Sequence, residues 1–286
     1  MANLKEIRNR ISSIGSTMQI TSAMKMVSAA KLKKAQDAIT AMRPYADKLT
    51  ELLQGLSASL DGDGGSVFAE KRAVSKVLVV AITSNRGLCG AFNSNIIKQC
   101  NTLVSETYAG KQVDFLAIGK KGNDILSKKN TIVANHSSVF DNLTFDNVAE
   151  IAEFLMEQFT IGNYDKIELV YNKFKNAATQ IVMSEQFLPI VSMEGDASKA
   201  ADYIFEPSKV EIVKQLIPKS LKTQLYKAIR DSFASEHGAR MTAMHKATDN
   251  AKDLRDQLKL TYNKARQAAI TNEILEIVGG AEALNG

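Results

Sequence analysis

Apolar residues recur at 3,4 spacing from the start of the chain: Leu4, Ile7, Ile11, Ile14 and Met18. That spacing lines one stripe of a helix and is the seam of a coiled coil. Asn3, with Glu6 three residues later, resembles a capping box at its start. The seam is expected to weaken and shift through Met24 and Val27. Gly15 costs roughly 1 kcal/mol against Ala without ending the helix. Pro44 predicts a kink and LDGDGG (60–65) an end. A second seam occupies the other end of the chain: Met244, Ala247, Ala251, Leu254, Leu258, Thr261, Ala265, Ala268 and Leu275, with Asn272 in one position. Ser208 with Glu211 reads as a capping box after Pro207, and Pro218 as an interruption. From Ser220 to Val278 there is no Pro, and Gly238 is the only Gly.

Between these ends the period changes. KVLVVAIT (76–83) reads as a buried strand, followed by the turn SNRGLCG and a helix from about Asn93 to Tyr108. VDFLAIG (113–119), TIVANH (131–136), KIELVYN (166–172) and TQIVMSEQFLPI (179–190) read as strands, and DNVAEIAEFLMEQF (146–159) as an amphipathic helix. Strands alternating with helices predict a mainly parallel sheet with helices on its faces. The expected fold is α/β. It has a helix over 1–54, a Rossmann-like domain over 55–207 with a flexible segment at about 60–72, and a helix over 208–286.

Size constrains how these parts assemble. Residues 220–284 as one helix span roughly 95 Å at ~1.5 Å per residue. A compact chain of 286 residues has a radius of gyration of only about 19 Å. The helix is expected to protrude and to pair antiparallel with the N-terminal helix. The two are unequal, so roughly the last twenty residues lack a partner in the chain. Yet Ile270, Ile274, Leu275, Ile277, Val278 and Leu284 lie on more than one face there. A helix apolar on several sides is normally enclosed by protein, so another subunit is expected around it. The same logic applies to ITSAMKMVSAAKLKK (20–34), whose small, sulfur-rich and basic faces exceed what one partner helix covers.

Composition narrows the classes. No apolar run approaches the ~18 residues of a membrane span, and MANLKEIRNR carries charge where a signal peptide is apolar. An intracellular, soluble protein is expected, with Cys89 and Cys100 as reduced thiols in neither a metal nor a disulfide pattern. The net charge is +5, with nine Lys/Arg against three Asp/Glu in residues 1–50, fourteen against nineteen in 51–207, and thirteen against nine in 208–286. The two basic ends are expected to share a role that the acidic middle does not.

Three segments carry a family resemblance: IRNRISSIGSTMQITSAMKMVSAAKLKKAQ (7–36), SNRGLCGAFN (84–93) and RMTAMHKATDNAKDLRDQLKLTYNKARQAAITNEILEIVGGAEAL (240–284). The chain resembles the gamma subunits of bacterial F-type ATP synthases. The resemblance implies a rotor whose coiled coil stands in the alpha3beta3 ring, with its middle domain beside epsilon on the membrane c-subunit ring. It implies a non-catalytic chain without cofactor, peripheral to the cytoplasmic face of the bacterial inner membrane. Asn85 departs from the Asp common at that motif position, and the cysteine-bearing insertion of chloroplast forms is absent. By the resemblance, Met24, Lys25, Arg240, Gln267, Thr271, Glu273, Ile274 and Ile277 contact the alpha/beta ring, and Tyr203 and Glu206 contact epsilon or the c-ring.

Each of these residues also has a plainer reading. Met24 and Met26 fill coiled-coil gaps equally well, Lys25 reads as solvated, and the polar residues of the C-terminal helix read as a solvated face. Glu273 and Glu276 lie near the helix C-terminus, where the dipole disfavours carboxylates; this argues for an external partner. SNRGLCG sits where phosphate loops sit, but lacks the Lys-Ser/Thr of a P-loop and the G-x-G-x-x-G spacing. Arg86, Gly87 and Gly90 are therefore expected to form a structural turn or subunit contact. His136, His237 and His245 form no metal-spaced cluster. The competing functions are a nucleic-acid-binding protein using Lys31, Lys33 and Lys34, and a nucleotide-sensing enzyme with a coiled-coil arm.

Overall fold

The computed structural model describes residues 4–57, 67–70, 72–190 and 209–285. Contacts divide the chain into two compact units, Ala29–Arg240, and Met1–Ser28 with Met241–Gly286. This division cuts both long helices, whereas the boundaries expected near 54 and 207 follow the change in sequence period. Residue 207 and most of the segment 60–72 lie outside the described residues.

The Ala29–Arg240 unit is built on a five-stranded sheet of β1 (Lys76–Ile82), β2 (Gln112–Ile118), β3 (Ile132–Asn135), β4 (Lys166–Phe174) and β5 (Gln180–Leu188). Their order is β3-β2-β1-β4-β5. All neighbours are parallel except β4 and β5, which form an antiparallel hairpin. Six consecutive residues of β1 are buried, as a strand covered on both faces requires. Leu78, Val80 and Ile82 face one core, with Leu155 and Phe159 of helix α4 (Phe145–Thr160) and Leu221, Leu225 and Ile229 of helix α5 (Lys209–Asn285). Val77, Val79 and Ala81 face the other, with Ile96 and Cys100 of helix α2 (Phe92–Thr102).

Helices α2 (Phe92–Thr102) and α4 (Phe145–Thr160) lie where periodicity predicts them. α2 gives way at Leu103–Thr107 to a π turn, short of the expected end. Thr144 caps α4 by accepting from the Asn147 amide at 3.3 Å. Helix α3 (Lys120–Leu126) escaped the pattern. At seven residues it is too short to show a period, and a tertiary bond from the Gly122 amide to Thr83 Oγ1 anchors it at 2.8 Å.

Helix α1 runs from Leu4 to Ser57 and α5 from Lys209 to Asn285. Both pass through their prolines, Pro44 and Pro218, so the expected interruption at Pro218 does not occur. A mid-helix proline costs about 3 kcal/mol. Burial of Ile217 and Leu221 on either side offsets it.

In the unit of the two chain ends, α1 and α5 run antiparallel, as expected. Thr248 Oγ1 lies 2.8 Å from Thr21 Oγ1, Arg255 reaches Met18 Sδ at 3.7 Å, and Arg8 donates to the Tyr262 hydroxyl at 2.8 Å. The numbers rise along one helix as they fall along the other. The seams differ from those expected. On α1 the buried and half-buried positions continue in register through Thr21, Lys25 and Ser28, while Val27 is 57% exposed. On α5 they are Met244, Ala247, Thr248, Ala251, Arg255, Leu258, Tyr262 and Ala265, and Leu254 is 48% exposed. A seam partly made of hydroxyls and long polar side chains is invisible to an apolar count. Ser28 and Thr248 meet their hydrogen-bonding needs inside their own helices, on the carbonyls of Met24 and Met244, each at 2.8 Å.

Candidate functional site

The first site lies within the Ala29–Arg240 unit. In an open α/β sheet, ligands bind outside the carboxyl ends of the strands where the order reverses. Here that point lies between β1 and β4, since the chain continues from β1 to β2 on one side and places β4 on the other. Residues 235–240 of α5 fill it. Ser235 Oγ donates to the Asn172 carbonyl of β4 at 2.9 Å. Gly238 lies against the turn between β4 and β5, where a Cβ would come within 3.2 Å of the Ala177 Cα and carbonyl oxygen; the missing side chain lets the two backbones approach this closely. Arg240 donates to the Arg86 carbonyl at 2.9 Å and the Gly87 carbonyl at 3.3 Å, in the turn after β1.

Arg240 is only 7% exposed, which excludes the solvated-face reading for it. Its Nη1 pairs with Glu236 at 2.7 Å. Burial pushes the Glu236 carboxyl up despite Arg240 beside it. The Nδ1 of His237 lies 3.4 Å from Arg240 Nη1. A guanidinium donates only, so Nδ1 accepts and Nε2 carries the proton, buried and without a partner. Burial first, then the charges of Arg240 and Lys31, push His237 down to about 4.

The turn that Arg240 holds is tight. The Arg86 carbonyl also accepts from Ser84 Oγ at 2.7 Å. Gly90 has φ +59° and Leu88 φ +62°; the latter is a left-handed leucine with its side chain 64% exposed. Asn85 donates through Nδ2 to the Ser137 carbonyl at 2.8 Å and accepts from the Lys120 amide at 3.0 Å. The aspartate expected there could only accept. Burial raises the Cys89 thiol, and Cys100, buried with Glu168 nearby, is pushed up to about 12. Lys98, Asn101, Lys121 and Ile125 line an open depression of about 500 Å³ beside the turn. Arg86, Gly87 and Gly90 are thus brought together with Arg240 as a structural turn, with the Arg86 side chain exposed.

The second site belongs to the other unit. From Arg266 to Ala283 every residue of α5 is exposed. Gln267, Thr271, Glu273, Ile274 and Ile277 all lie there, and Thr271 spends its hydroxyl on the Gln267 carbonyl at 3.0 Å. Met24 and Lys25 are half-buried on α1. Met26 is 65% exposed, so it is no seam residue. Tyr203 and Glu206 lie outside the described residues. Among the described residues no group of His, Cys, Asp and Glu could hold a metal ion, and no helix is long and apolar enough to cross a membrane. The buried contact residue that sequence reasoning missed is Ser235. Its signal was present: Ala234, Ser235 and Gly238, at i, i+1 and i+4, leave one face of α5 without bulk, as close approach demands.

Comparison with known proteins agrees over the whole chain. A family model described as ATP synthase matches residues 3–284. The ATP synthase gamma chain of Flavobacterium psychrophilum is 75% identical over 287 residues, covering 100% of both chains. A chain from the central stalk and c-ring of Tetrahymena thermophila mitochondrial ATP synthase superposes with TM-score 0.60 at 27% identity, over 80% of this chain and 99% of that one. A chain from the OSCP/F1/c-ring of Euglena gracilis mitochondrial ATP synthase shares the fold, with TM-score 0.72 at 22% identity over 98% and 94%.

Proposed function

The chain belongs to the ATP synthase gamma-chain family, and from that membership we infer that it is the central-stalk rotor of an F-type ATP synthase. It is a non-catalytic subunit that couples ion flux through the membrane sector to ATP synthesis or hydrolysis in the alpha3beta3 ring. Each angle of an asymmetric shaft favours a different set of beta-subunit conformations; the coupling is a population shift driven by differential contact. The observation that carries this reading is the tip of α5, exposed on all sides from Arg266 to Ala283 yet bearing Ile270, Ile274, Leu275, Ile277 and Val278. Such a surface needs an enclosing partner. A nucleic-acid role leaves these residues unexplained.

We assign the ring contacts to Met24, Lys25, Gln267, Thr271, Glu273, Ile274 and Ile277. Arg240 serves the ring through the turn it holds, which presents Arg86 and Leu88 outward. Tyr203 and Glu206 are assigned to epsilon or the c-ring by family resemblance alone. The chain is a peripheral part of the membrane-bound complex, and the proposal sets it on the cytoplasmic face. The helices of residues 1–54 and 208–286 act as the shaft and the segment 55–207 as its base.

Affinity purification of the tagged chain from its own cells tests this. Alpha, beta and epsilon are expected to co-purify, and Ile274→Asp/Ile277→Asp to lower their yield. Recovery of the chain alone, or with nucleic acid, overturns the assignment. Protease access from the exposed side of inverted membrane vesicles tests the cytoplasmic face.

A further inference from the structure

A rotor is useful only if its parts turn together, so torque has to enter the Ala29–Arg240 unit without slip. The α5 helix leaves that unit at Arg240. Three of the last six residues before this point, Ser235, Gly238 and Arg240, meet backbone. Ser235 meets the Asn172 carbonyl on β4, Gly238 meets Ala177 in the turn that follows, and Arg240 meets the carbonyls of Arg86 and Gly87 after β1. Backbone fixed in a sheet yields far less than side chains do. Contacts on three separate segments fix both the tilt of a helix and its rotation about its own axis. The place is also the one where an α/β sheet ordinarily holds a ligand.

Resting on the rotor reading above, we propose that Ser235, Gly238 and Arg240, with Asn172, Ala177 and the Arg86–Gly87 turn, form a rigid torque joint. Ser235 and Gly238 are positioning residues: they touch no nucleotide and act by keeping α5 from rolling or tilting on the strand ends. Ser235 is fully buried, so losing its hydroxyl leaves the helix held at two points and a carbonyl short of a donor.

The test uses the complete ATP synthase in lipid vesicles, reading ATP hydrolysis together with the membrane potential it builds, which does not depend on the identity of the coupling ion. Ser235→Ala is expected to lower the charge moved per ATP at least about fivefold, the low end of what one buried hydrogen bond does to an equilibrium, while hydrolysis continues. A Cβ built on Gly238 lies 3.2 Å from the Ala177 Cα, close enough for Gly238→Cys/Ala177→Cys to be bridged once the turn gives by a few tenths of an ångström. Oxidised, this lock is expected to leave coupling unchanged, to restore it in the Ser235→Ala background, and to lose that rescue on reduction. A merely structural role for Ser235 would give no such rescue. Loss of coupling in the oxidised lock alone means that the joint moves in each cycle and overturns the proposal. So does full coupling in Ser235→Ala. Should the unaltered chain assemble into no such complex, the rotor reading itself falls. Should Ser235→Ala fail to assemble, the lock in the otherwise unaltered chain still decides between a rigid and a moving joint.

Discussion

Helix α5 lives in two environments. Between Leu221 and Arg240 it is enclosed by its own chain, down to polar residues such as Thr223, Ser232, Ser235, Glu236 and His237. Beyond Ala265 its chain covers nothing of it. Both stretches carry large aliphatic residues, Leu221, Leu225 and Ile229 in one and Ile270, Ile274, Leu275, Ile277 and Val278 in the other, so their presence does not separate the two. The difference lies in what satisfies the polar groups. In the enclosed stretch Ser235, Glu236 and Arg240 all find partners at defined distances. At the tip Thr271 turns back on its own helix. One stretch is finished by folding and the other is left for assembly.

The largest break in that contrast comes from Arg240→Ala. It strands Glu236 as a buried carboxylate and frees the carbonyls of Arg86 and Gly87. Removing one partner of a buried pair costs about 3–5 kcal/mol. Arg240→Lys keeps a cation near Glu236 but loses the fork that reaches two carbonyls, and should cost about 1–2 kcal/mol. Urea midpoints of the isolated chain read both. A cost below 1 kcal/mol for Arg240→Ala would mean that Glu236 is solvated and α5 is not gripped there.

Next comes an apolar truncation at matched chemistry in the two regions. Leu225 is fully buried in the core shared with Leu78 and Leu155, so Leu225→Ala should cost about 2–5 kcal/mol. Leu275→Ala, at the exposed tip, should stay within about 0.5 kcal/mol in the isolated chain and show its effect in assembly with alpha and beta. Equal costs in the isolated chain would show that the tip is packed on its own chain in solution.

Acid should act on the enclosed region through His237. His237 is held down to about 4 from its ordinary 6.5. Between those values the unfolded chain binds a proton that the folded one refuses. This contribution to stability is therefore fully present above pH 6.5 and is lost as pH falls, by up to about 3 kcal/mol at pH 4. The raised Glu236 works in the opposite sense, because the folded carboxyl takes up its proton first. His237→Gln isolates the histidine. Its stability should fall less steeply with acid than that of the unaltered chain, and parallel curves would argue that His237 is solvated.

The strands and α4 were legible because burial on a sheet or on one helix face leaves a period in the sequence. The antiparallel pairing and the bare tip were legible from length alone. The α5 stretch from Leu221 to Arg240 was legible only in its Leu221–Leu225–Ile229 stripe; its other faces are covered through polar residues, which leave no apolar period. There Gly238 was a mark without a meaning until Ala177 came against it. Arg240 read as one more polar helix residue, because its partners are carbonyls, which sequence does not distinguish. Leu254 was assigned to the seam on hydrophobicity, although Arg255 holds that place through Met18 and Asp256.

That last misassignment supplies the smallest and most discriminating effect. Leu254 and Leu258 are the same residue one turn apart on α5, in the stretch where the helix passes from covered to bare. The observed register puts Leu258 half-buried in the seam, with Ala251 and Tyr262 above and below, and turns Leu254 outward. Truncating a half-covered leucine forfeits roughly half the transfer and cavity cost of a core site, so Leu258→Ala should cost about 1–2 kcal/mol. Leu254→Ala should stay within about 0.5 kcal/mol. Alanine is the better helix former of the two, which brings the second value nearer zero. Local amide exchange near Ala251 reads the difference even if global unfolding does not, because the coil can open apart from the sheet. A larger loss from Leu254 than from Leu258 would place the seam where apolar spacing predicted it. The hydroxyl bridge from Thr248 to Thr21 would then lie off the line of contact.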